Sequence, residues 1–476
     1  MNTQRNKLRW IIPVMLTVSS CKLPSVVENP VNPGLPSNYA ISADTNSSAE
    51  VKWKTFFNDP VLVQLIDSAI NNNPEALIAL QDIEIARSHI RAQKGRLFPA
   101  VTAGIGAGID KSARYTAEGA GNASTDITPG VEVPEPINDY YGGFQAGWEA
   151  DIWGKLRNYS KAAYAKYLGT VEGRNFVMTN LVAEVADTYY ELLALDQQLD
   201  IVKKNIKLSE DELEVIKVQK EASKVTELAV KQFEAQVYNS QGKAAEIKQQ
   251  IQETENRLNY LLGRYTQTIP RNAAAFNSNT PLQVTAGLPS QLLNNRPDIR
   301  QAEMEMAAAK CQVNAAKAEF LPSFEIRAGI GYRAFKTSYL FDTPESVIYN
   351  LAGDLVAPLV NRSAIKAEFN AAKAEQLQAM YEYQKSVLKA YAEVATEMNR
   401  MQNLQIVYDK KSQEVATRLK AVDISKDLFN AARADYLEVL IAQQEALASQ
   451  LEQVETKKMQ FITSVQLYKA LGGGWK

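Results

Sequence analysis

The sequence is poor in the residue types that build metal and nucleophile sites, since its 476 residues include one histidine and two cysteines. His89 lies in a helical pattern without a partner motif, and no phosphate loop or nucleophile motif is found. The cysteines, at positions 21 and 311, give no disulfide framework. The sequence therefore predicts no enzyme, no metal site and no cofactor, and nothing in it marks a pair of catalytic carboxylates.

Two further absences concern charge and hydrophobicity. The net charge is −2 and 22% of the residues are charged, so the chain lacks the basic field of a nucleic-acid-binding protein. No stretch approaches the roughly eighteen consecutive apolar residues of a membrane-spanning helix. The sequence therefore predicts no membrane-spanning helix.

The N-terminus has the pattern of a secretory signal with a lipoprotein-type cleavage site. Arg5, Lys7 and Arg9 precede a short apolar run, which ends in Val-Ser-Ser-Cys at positions 18–21. This pattern predicts a signal peptide over residues 1–20 and a mature chain that begins at Cys21, with diacylglycerol and acyl groups attached. The alternative is a plain secretory signal that ends in cysteine by coincidence.

The rest of the chain consists of two copies of one unit. Each copy has a helix-like run that opens at a proline and ends at an apolar-Pro pair, followed by a glycine-dotted alternating segment. The prolines are Pro74 and Pro99 in the first copy and Pro297 and Pro322 in the second, at equal spacing. The sequence therefore predicts an N-terminal tether and equatorial segment over 21–72, a first repeat over 73–286 and a second over 287–476.

Alternation of apolar and polar residues predicts a β-hairpin in each repeat, over 100–152 and 323–358. Each strand has roughly ten residues, the length of a tilted membrane-spanning strand, and carries aromatic residues near its ends. The face opposite the apolar residues would line a water-filled lumen. The candidate lining residues are Gln145, Glu149, Glu325, Arg327, Arg333 and Asp354. The alternative is a pair of amphipathic hairpins on a soluble core, with these residues simply hydrated.

A helical hairpin follows each strand pair, over 155–263 and 363–472. Both segments lack proline and are rich in Ala, Glu, Lys, Gln and Leu. We expect turns near 222–226 and 432–435, and outgoing helices on the order of 100 Å long at 1.5 Å per residue. Aligning the two turns places Glu227 on Glu438. In each repeat the short helix would stack end to end on the return helix, giving a rod of uniform thickness.

Because each chain supplies only four strands, a membrane barrel requires several chains. Four strands cannot close a barrel, and an open sheet edge is not tolerated in lipid. The smallest membrane barrels have about eight strands, so two, three or four chains would each satisfy the requirement. The residues alone leave this number open.

The chain resembles the TolC-type outer-membrane factors, in particular their lipoprotein branch that serves RND-type multidrug and metal efflux systems. The resemblance covers essentially the whole mature chain. Its most specific part is Gly-Leu-Pro-Ser at 287–290 followed by Arg-Pro-Asp-Ile at 296–299. The other matching stretches are 57–60, 98–99, 149–155, 184–195, 321–322 and 471–475.

The resemblance implies a mainly helical protein with membrane β structure. Three chains would form a twelve-stranded β-barrel continuous with a twelve-helix periplasmic α-barrel. The trimer would be lipid-anchored in the outer membrane of a Gram-negative cell. It would dock on a periplasmic adaptor and an inner-membrane RND-type pump, and would passively conduct small molecules or metal ions to the exterior.

The resemblance also implies a periplasmic gate of acidic helix tips. The matching residue is Glu438, with Asp435 nearby and Glu227 on the first-repeat tip. The chain departs from close relatives at Ile441, where a second aspartate can occur, and over 360–363, where many members have Phe and paired glycines. Without the resemblance, Glu438 would be interpreted as an ordinary solvated helix-end carboxylate.

Two alternative functions share these features. A lipid-anchored periplasmic coiled-coil adaptor or scaffold would have the long helices and the lipid signal without needing four strands. A type I secretion exit channel would have the same strands and helices. The transported substrate, the partner pump and the resting state of the gate are not written in the sequence.

Overall fold

The computed structural model describes residues 34–39, 45–272, 276, 280–360 and 362–476. The predicted signal peptide, the lipid-attachment residue Cys21 and Asn361 lie outside the described residues. The described chain divides into two compact units. One comprises Ile85–Tyr167 with Glu305–Met380, and the other comprises the remaining described residues. Each unit draws on both sequence repeats.

The first repeat and the described residues that lead into it form a series of α-helices and strands. They are α1 (Trp53–Phe56), α2 (Pro60–Asn72), α3 (Pro74–Gly95), β1 (Ala100–Asp110), α4 (Ala117–Asn122), β2 (Asp126–Thr128), β3 (Val131–Glu132), β4 (Ile137–Ala150), α5 (Lys155–Glu221) and α6 (Glu227–Leu261). The segment that joins β1 to β4 contains α4 and the small β2–β3 sheet.

The second repeat has the same order of short helices, long strand pair and helical hairpin. Its elements are α7 (Leu292–Asn295), α8 (Pro297–Ala318), β5 (Ser323–Ala334), β6 (Val347–Val356), α9 (Ser363–Asn430) and α10 (Tyr436–Ala470). Corresponding helices match in length: α3 and α8 have 22 residues each, α6 and α10 have 35 each, and α5 and α9 have 67 and 68. The predicted repeat of helices and strands is therefore confirmed.

The start of α3 is fixed by Asn73, which precedes the helix-opening Pro74. Its side-chain oxygen accepts hydrogen bonds from the N–H groups of Glu75 (2.8 Å) and Ala76 (3.1 Å), which the helix cannot satisfy itself. The Asn73 side-chain amide donates to the carbonyl of Leu261 at the end of α6 (3.0 Å). The predicted end-to-end junction of the short helix with the return helix is therefore confirmed in the first repeat.

The second repeat forms the same junction with different residues. Arg296, which precedes Pro297 of α8, donates to the carbonyl of Ala470 at the end of α10 (2.8 Å). Gly472 has a φ of 93°, and a Cβ there would lie 2.5 Å from the carbonyl oxygen of Asn295. Glycine is therefore required where the chain leaves α10 against the start of the short helix.

An aromatic core surrounds these junctions in the second unit. Phe56 stacks on Tyr468 with a centroid distance of 3.8 Å, and Tyr190 stacks on Phe461 at 4.6 Å. The buried hydroxyl of Tyr189 donates to Asp59 (2.8 Å), whose other carboxylate oxygen caps α2. These contacts join the leading segment to both helical hairpins.

The first unit contains an antiparallel four-stranded sheet in the order β1-β4-β5-β6. It brings together the two hairpins that the alternating segments predicted. Among the described residues, β1 pairs only with β4 and β6 only with β5. Both outer strands of the sheet therefore present unpaired edges.

Candidate functional site: the two-faced sheet and the helical tips

The register of the sheet places the predicted lining residues on one face, called the polar face here. Glu149, Glu325 and Asp354 stand directly opposite one another on β4, β5 and β6. Arg327, Gln145 and Arg333 alternate with them along the same face, opposite Gly147, Gly329 and Tyr141 respectively. The structure thus brings all six residues together, while their role in lining a lumen stays a prediction.

The row of three carboxylates is compensated by neighbouring cations. Like charges directly opposite one another destabilise a sheet. Lys155 lies 2.5 Å from Glu149, and Arg327 lies 2.8 Å from Glu325 and 3.9 Å from Asp354. The Arg327 pairs are largely exposed, whereas Lys155 and Glu149 are partly buried. Three carboxylates face two cations, so the polar face keeps a mixed charge with a net excess of carboxylates at this level.

Asp139 belongs to the same face, and sequence reasoning missed it. It forms two hydrogen bonds with the Arg333 guanidinium, of 2.8 and 2.7 Å, across the β4–β5 pair. This fork geometry fixes the arginine in one orientation. The alternation that marks Tyr141 and Gln145 extends back to Asp139, so the signal was present in the sequence.

Glycines on the polar face allow close approach of strands and side chains. A Cβ on Gly143 would lie 2.6 Å from the carbonyl oxygen of Ile330 and 2.7 Å from the Cα of Gly331. A Cβ on Gly106 would lie 2.3 Å from the ring of Tyr141, which covers that glycine. These glycines therefore allow close packing, and they also leave room on the polar face.

The opposite face, called the apolar face here, exposes a continuous set of large apolar side chains. Ile105 is 91% exposed, Tyr349 83% and Leu351 80%. The other members include Val101, Ile109, Phe144, Ile330 and Leu355. Soluble monomers rarely expose a patch of this kind, whereas the lipid-facing side of a membrane sheet requires one.

The predicted gate residues lie at the tips of the helical hairpins and are all exposed. Asp435 is the N-cap of α10, and its side chain accepts a hydrogen bond from the N–H of Tyr436 (3.0 Å). Glu438 lies in the first turn of α10, and its carboxylate forms no salt bridge with any described residue. An acidic side chain in this position is favoured by the helix dipole.

The predicted equivalence of Glu227 and Glu438 is wrong. Thr226 caps α6 as Asp435 caps α10, so Glu227 corresponds to Tyr436 and Glu438 corresponds to Ala229. The sequence alignment followed matching acidic-apolar pairs, whereas the backbone of the turns sets a register two residues away. Glu227 is also neutralised, because Lys220 lies 2.5 Å away and Lys231 3.8 Å away, which lowers the pKa of its carboxyl group.

A hydrophobic cluster beneath the tips joins the two hairpins. Phe233 and Val230 of α6 pack with Leu440 of α10, with Ile216 of α5 and against the partly buried Phe429 of α9. Farther along, Lys426 of α9 forms a salt bridge with Glu212 of α5 (2.7 Å). The positions of Asp435 and Glu438 are therefore set by packing between helices of both repeats.

Among the described residues, no group of His, Cys, Asp and Glu side chains is arranged to hold a metal ion. In the same part of the chain, none of the helices combines the length and the apolar character that crossing a membrane would demand. Cys311 of α8 is a free, half-buried cysteine.

A family model described as outer membrane efflux protein matches residues 65–264 and 288–473. The chain belongs to the outer membrane efflux protein family. It is 29% identical over 466 residues to OpmQ of Pseudomonas putida, a pyoverdine export outer membrane protein, covering 98% of this chain and 97% of the relative. It is 25% identical over 477 residues to SilC of Salmonella typhimurium, a probable outer membrane lipoprotein, covering 98% of this chain and 99% of the relative.

Solved structures show the same fold. The open state of the MtrE outer membrane channel of Neisseria gonorrhoeae matches with a TM-score of 0.83 and 22% identity, over 95% of this chain and 98% of that chain. The predicted fold class is therefore confirmed, as are location in the outer membrane and a function in efflux. Members of the family are transport proteins, and the alternative of an adaptor that does not span the membrane is not supported.

Proposed function

We propose that this outer membrane efflux protein is a homotrimeric, gated exit duct of a tripartite pump. The observation that carries the proposal is the two-faced sheet with an unpaired strand at each edge. Unpaired backbone groups are costly in lipid, and joining β6 of one chain to β1 of the next removes every edge. Three chains give a barrel of about twelve strands, within the known range of membrane barrels.

In this trimer the polar face lines the lumen and the apolar face contacts lipid. The charge of the lumen then comes chiefly from Glu149, Glu325 and Asp354, offset by Arg327 and Lys155. An excess of carboxylates attracts cations, while the hydrated wall lets solutes pass without tight binding. The duct supplies no chemistry of its own, and the partner pump supplies the energy.

Asp435 and Glu438 form the periplasmic gate in this proposal. Three copies of each, brought toward a common axis, repel one another and attract cations to the aperture. Glu438 suits this role because it is exposed and forms no salt bridge with a described residue. Glu227 contributes less, because Lys220 and Lys231 already balance its charge.

The remaining parts of the proposal concern attachment and partners. Cys21 carries diacylglycerol and acyl groups, as its lipoprotein-type sequence indicates. The similarity to SilC, a probable outer membrane lipoprotein, supports this assignment. The helical tips dock on a periplasmic adaptor, which connects the duct to an inner-membrane RND-type pump. The cargo is a class of small molecules or metal ions selected by that pump. The efflux relatives favour this proposal over a type I secretion channel.

The proposal is tested by determining the oligomer mass of the purified protein and its conductance in planar bilayers. We expect a trimer with small, cation-preferring, mostly closed channels. The double variant Glu438→Ala/Asp435→Ala should raise the conductance, because it removes the repelling and cation-binding ring. The control Glu452→Ala/Asp409→Ala removes the same charges from exposed positions on α10 and α9, away from the tips, and should behave like the wild type.

Two results would contradict the proposal in different ways. A monomer or dimer that never conducts would exclude the closed trimeric barrel. An assembled trimer whose double variant conducts like the wild type would leave the duct intact and exclude the acidic gate.

A further inference from the structure

The apolar face of the sheet contains a hollow of about 840 Å³ near the β5–β6 loop. Its walls are large apolar side chains from β1, β4, β5 and the loop that follows β5. They include Ile105, Tyr140, Phe144, Ile330, Tyr332 and Phe341. No strongly polar or charged residue lines it. A hollow of this size in an otherwise continuous apolar face is a candidate binding site for an apolar group.

The strand register explains why the hollow exists. Gly142 lies on the apolar face directly between Ile105 of β1 and Tyr332 of β5. Its neighbours on the same face of β4 are Tyr140 and Phe144, so one glycine interrupts a wall of large side chains. A Cβ on Gly142 would meet only the Cγ2 atom of Ile105, at 3.4 Å. The space above Gly142 is therefore open, and the glycine is its floor.

The β5–β6 loop forms the upper wall of the hollow. Leu340 and Phe341 of this loop are among its lining residues. The Phe341 ring packs edge-on against Tyr332 with a centroid distance of 5.6 Å, yet its side chain remains 74% exposed. An exposed phenylalanine held over an apolar hollow extends that hollow beyond the end of the strands.

The same loop carries a cation. Lys336 follows β5, and its Nζ lies 5.7 Å from the centre of the Tyr339 ring. It forms no salt bridge with any residue that the structure describes. The loop that borders the apolar hollow through Leu340 and Phe341 thus also carries an ammonium group without a salt bridge to a described residue. An amphiphile with an anionic headgroup would complement both features.

We propose that the hollow binds an acyl chain of an anionic, phosphate-bearing membrane lipid, with Lys336 near its headgroup. We infer that the occupant is a lipid because the apolar face of an outer-membrane sheet is covered by lipid. The inference rests on the proposed function only in assigning this face to the membrane. The open floor at Gly142 distinguishes the site, because Gly353, another glycine on the apolar face, is covered by the ring of Phe324.

The test is native mass spectrometry of the full, assembled protein with palmitoyl-oleoyl phosphatidylglycerol as the probe. We expect the wild-type protein to retain the lipid. Gly142→Leu should reduce the retained amount by about tenfold or more, since the new side chain fills the hollow. Ala146→Leu is the matched control, because Ala146 lies on the same face of β4 but outside the hollow. Lys336→Gln should weaken binding of phosphatidylglycerol while leaving binding of phosphatidylcholine unchanged.

Equal retention by Gly142→Leu and the wild type, or equal loss in Gly142→Leu and Ala146→Leu, would overturn the proposal. If Gly142→Leu fails to assemble, Phe341→Ser tests the proposal instead. This substitution lies in a loop outside the strands, removes part of the upper wall of the hollow and should also reduce the amount of retained lipid. The result is separable from the proposed function: lipid binding is scored on assembled protein, whereas conductance and the number of chains are measured independently.

Discussion

Ser223 and Ala432 occupy the same position in the two helical tips, and both have left-handed backbones, with φ of 57° and 55°. Each donates its N–H to the carbonyl three residues earlier, at 2.9 and 3.0 Å. The following residues, Lys224 and Arg433, donate to Gln219 and Leu428 at 2.9 and 2.8 Å. This helix-ending motif is normally completed by glycine. The two tips therefore share one backbone geometry, although neither has the residue that favours it.

We expect Ser223→Gly and Ala432→Gly to stabilise the protein. A left-handed backbone costs a residue with a Cβ about 1 kcal/mol relative to glycine. Each substitution should raise the thermal unfolding midpoint of the purified protein by a small amount. Ala431→Gly, one residue earlier and without positive φ, should not stabilise. Equal effects of glycine at 431 and 432 would show that the left-handed backbone is not the cause.

We predict that the stability of the folded protein depends on pH because of Asp187 of α5. Burial is the main reason that its pKa rises to about 7, and nearby Glu184 raises it further. Gln466, Lys469 and Arg257 oppose the rise, but only Gln466 donates a hydrogen bond to the carboxylate. The other carboxylate oxygen is buried without a partner among the described residues. The folded protein therefore favours protonated Asp187.

The sign of the effect follows from linkage. Because the folded-state pKa lies above the unfolded value, this contribution is full below about pH 4 and is lost as pH rises to about 7. The change should be on the order of 2–4 kcal/mol. Asp187→Asn should flatten the profile of unfolding midpoint against pH, whereas Asp200→Asn, an exposed aspartate on the same helix, should not. A profile unchanged by Asp187→Asn would refute the assignment.

Arg296 is predicted to be the most sensitive cation of the second repeat. Its buried guanidinium lies 2.7 Å from both Asp298 and Glu393 and also donates to the Ala470 carbonyl. Arg296→Ala leaves these acceptors uncompensated and should cost about 3–5 kcal/mol of stability. Lys385→Ala, which removes an exposed pair with Glu382 on α9, should cost at most about 0.5 kcal/mol. Thermal unfolding of the two variants under one condition compares them directly, and similar losses would contradict this ranking.

Gly143 is predicted to be essential for pairing of β4 with β5. A Cβ at this position would meet the backbone of Ile330 and Gly331, which cannot move aside as a flexible side chain could. Gly143→Val should therefore reduce the yield of assembled oligomer. Gly147→Val is the control on the same strand and face, because nothing lies within 4 Å of a Cβ there. Assembly yields on native gels decide the matter, and normal assembly of Gly143→Val would show that the strands can separate.

The strands and their faces were predictable from sequence because alternation depends only on local backbone geometry. Glu149, Glu325 and Asp354 share a face whatever the partner strands are, and the register then places them opposite one another. The equivalence of Glu227 and Glu438 was wrong because no residue marks the left-handed positions Ser223 and Ala432. Glycine would have supplied that signal.

The sequence by itself determined the repeat, the helical hairpins, the strands and the family, since each depends on periodicity or on contiguous motifs. Only the tertiary structure decided which distant residues meet. Asp187 and Gln466, or Arg296 and Glu393, lie far apart in sequence, and their pairing depends on how α5, α9 and α10 pack. The hollow above Gly142 likewise depends on the register of three strands. Local patterns specify elements, whereas burial, and with it the pKa of Asp187, is a property of the packed elements together.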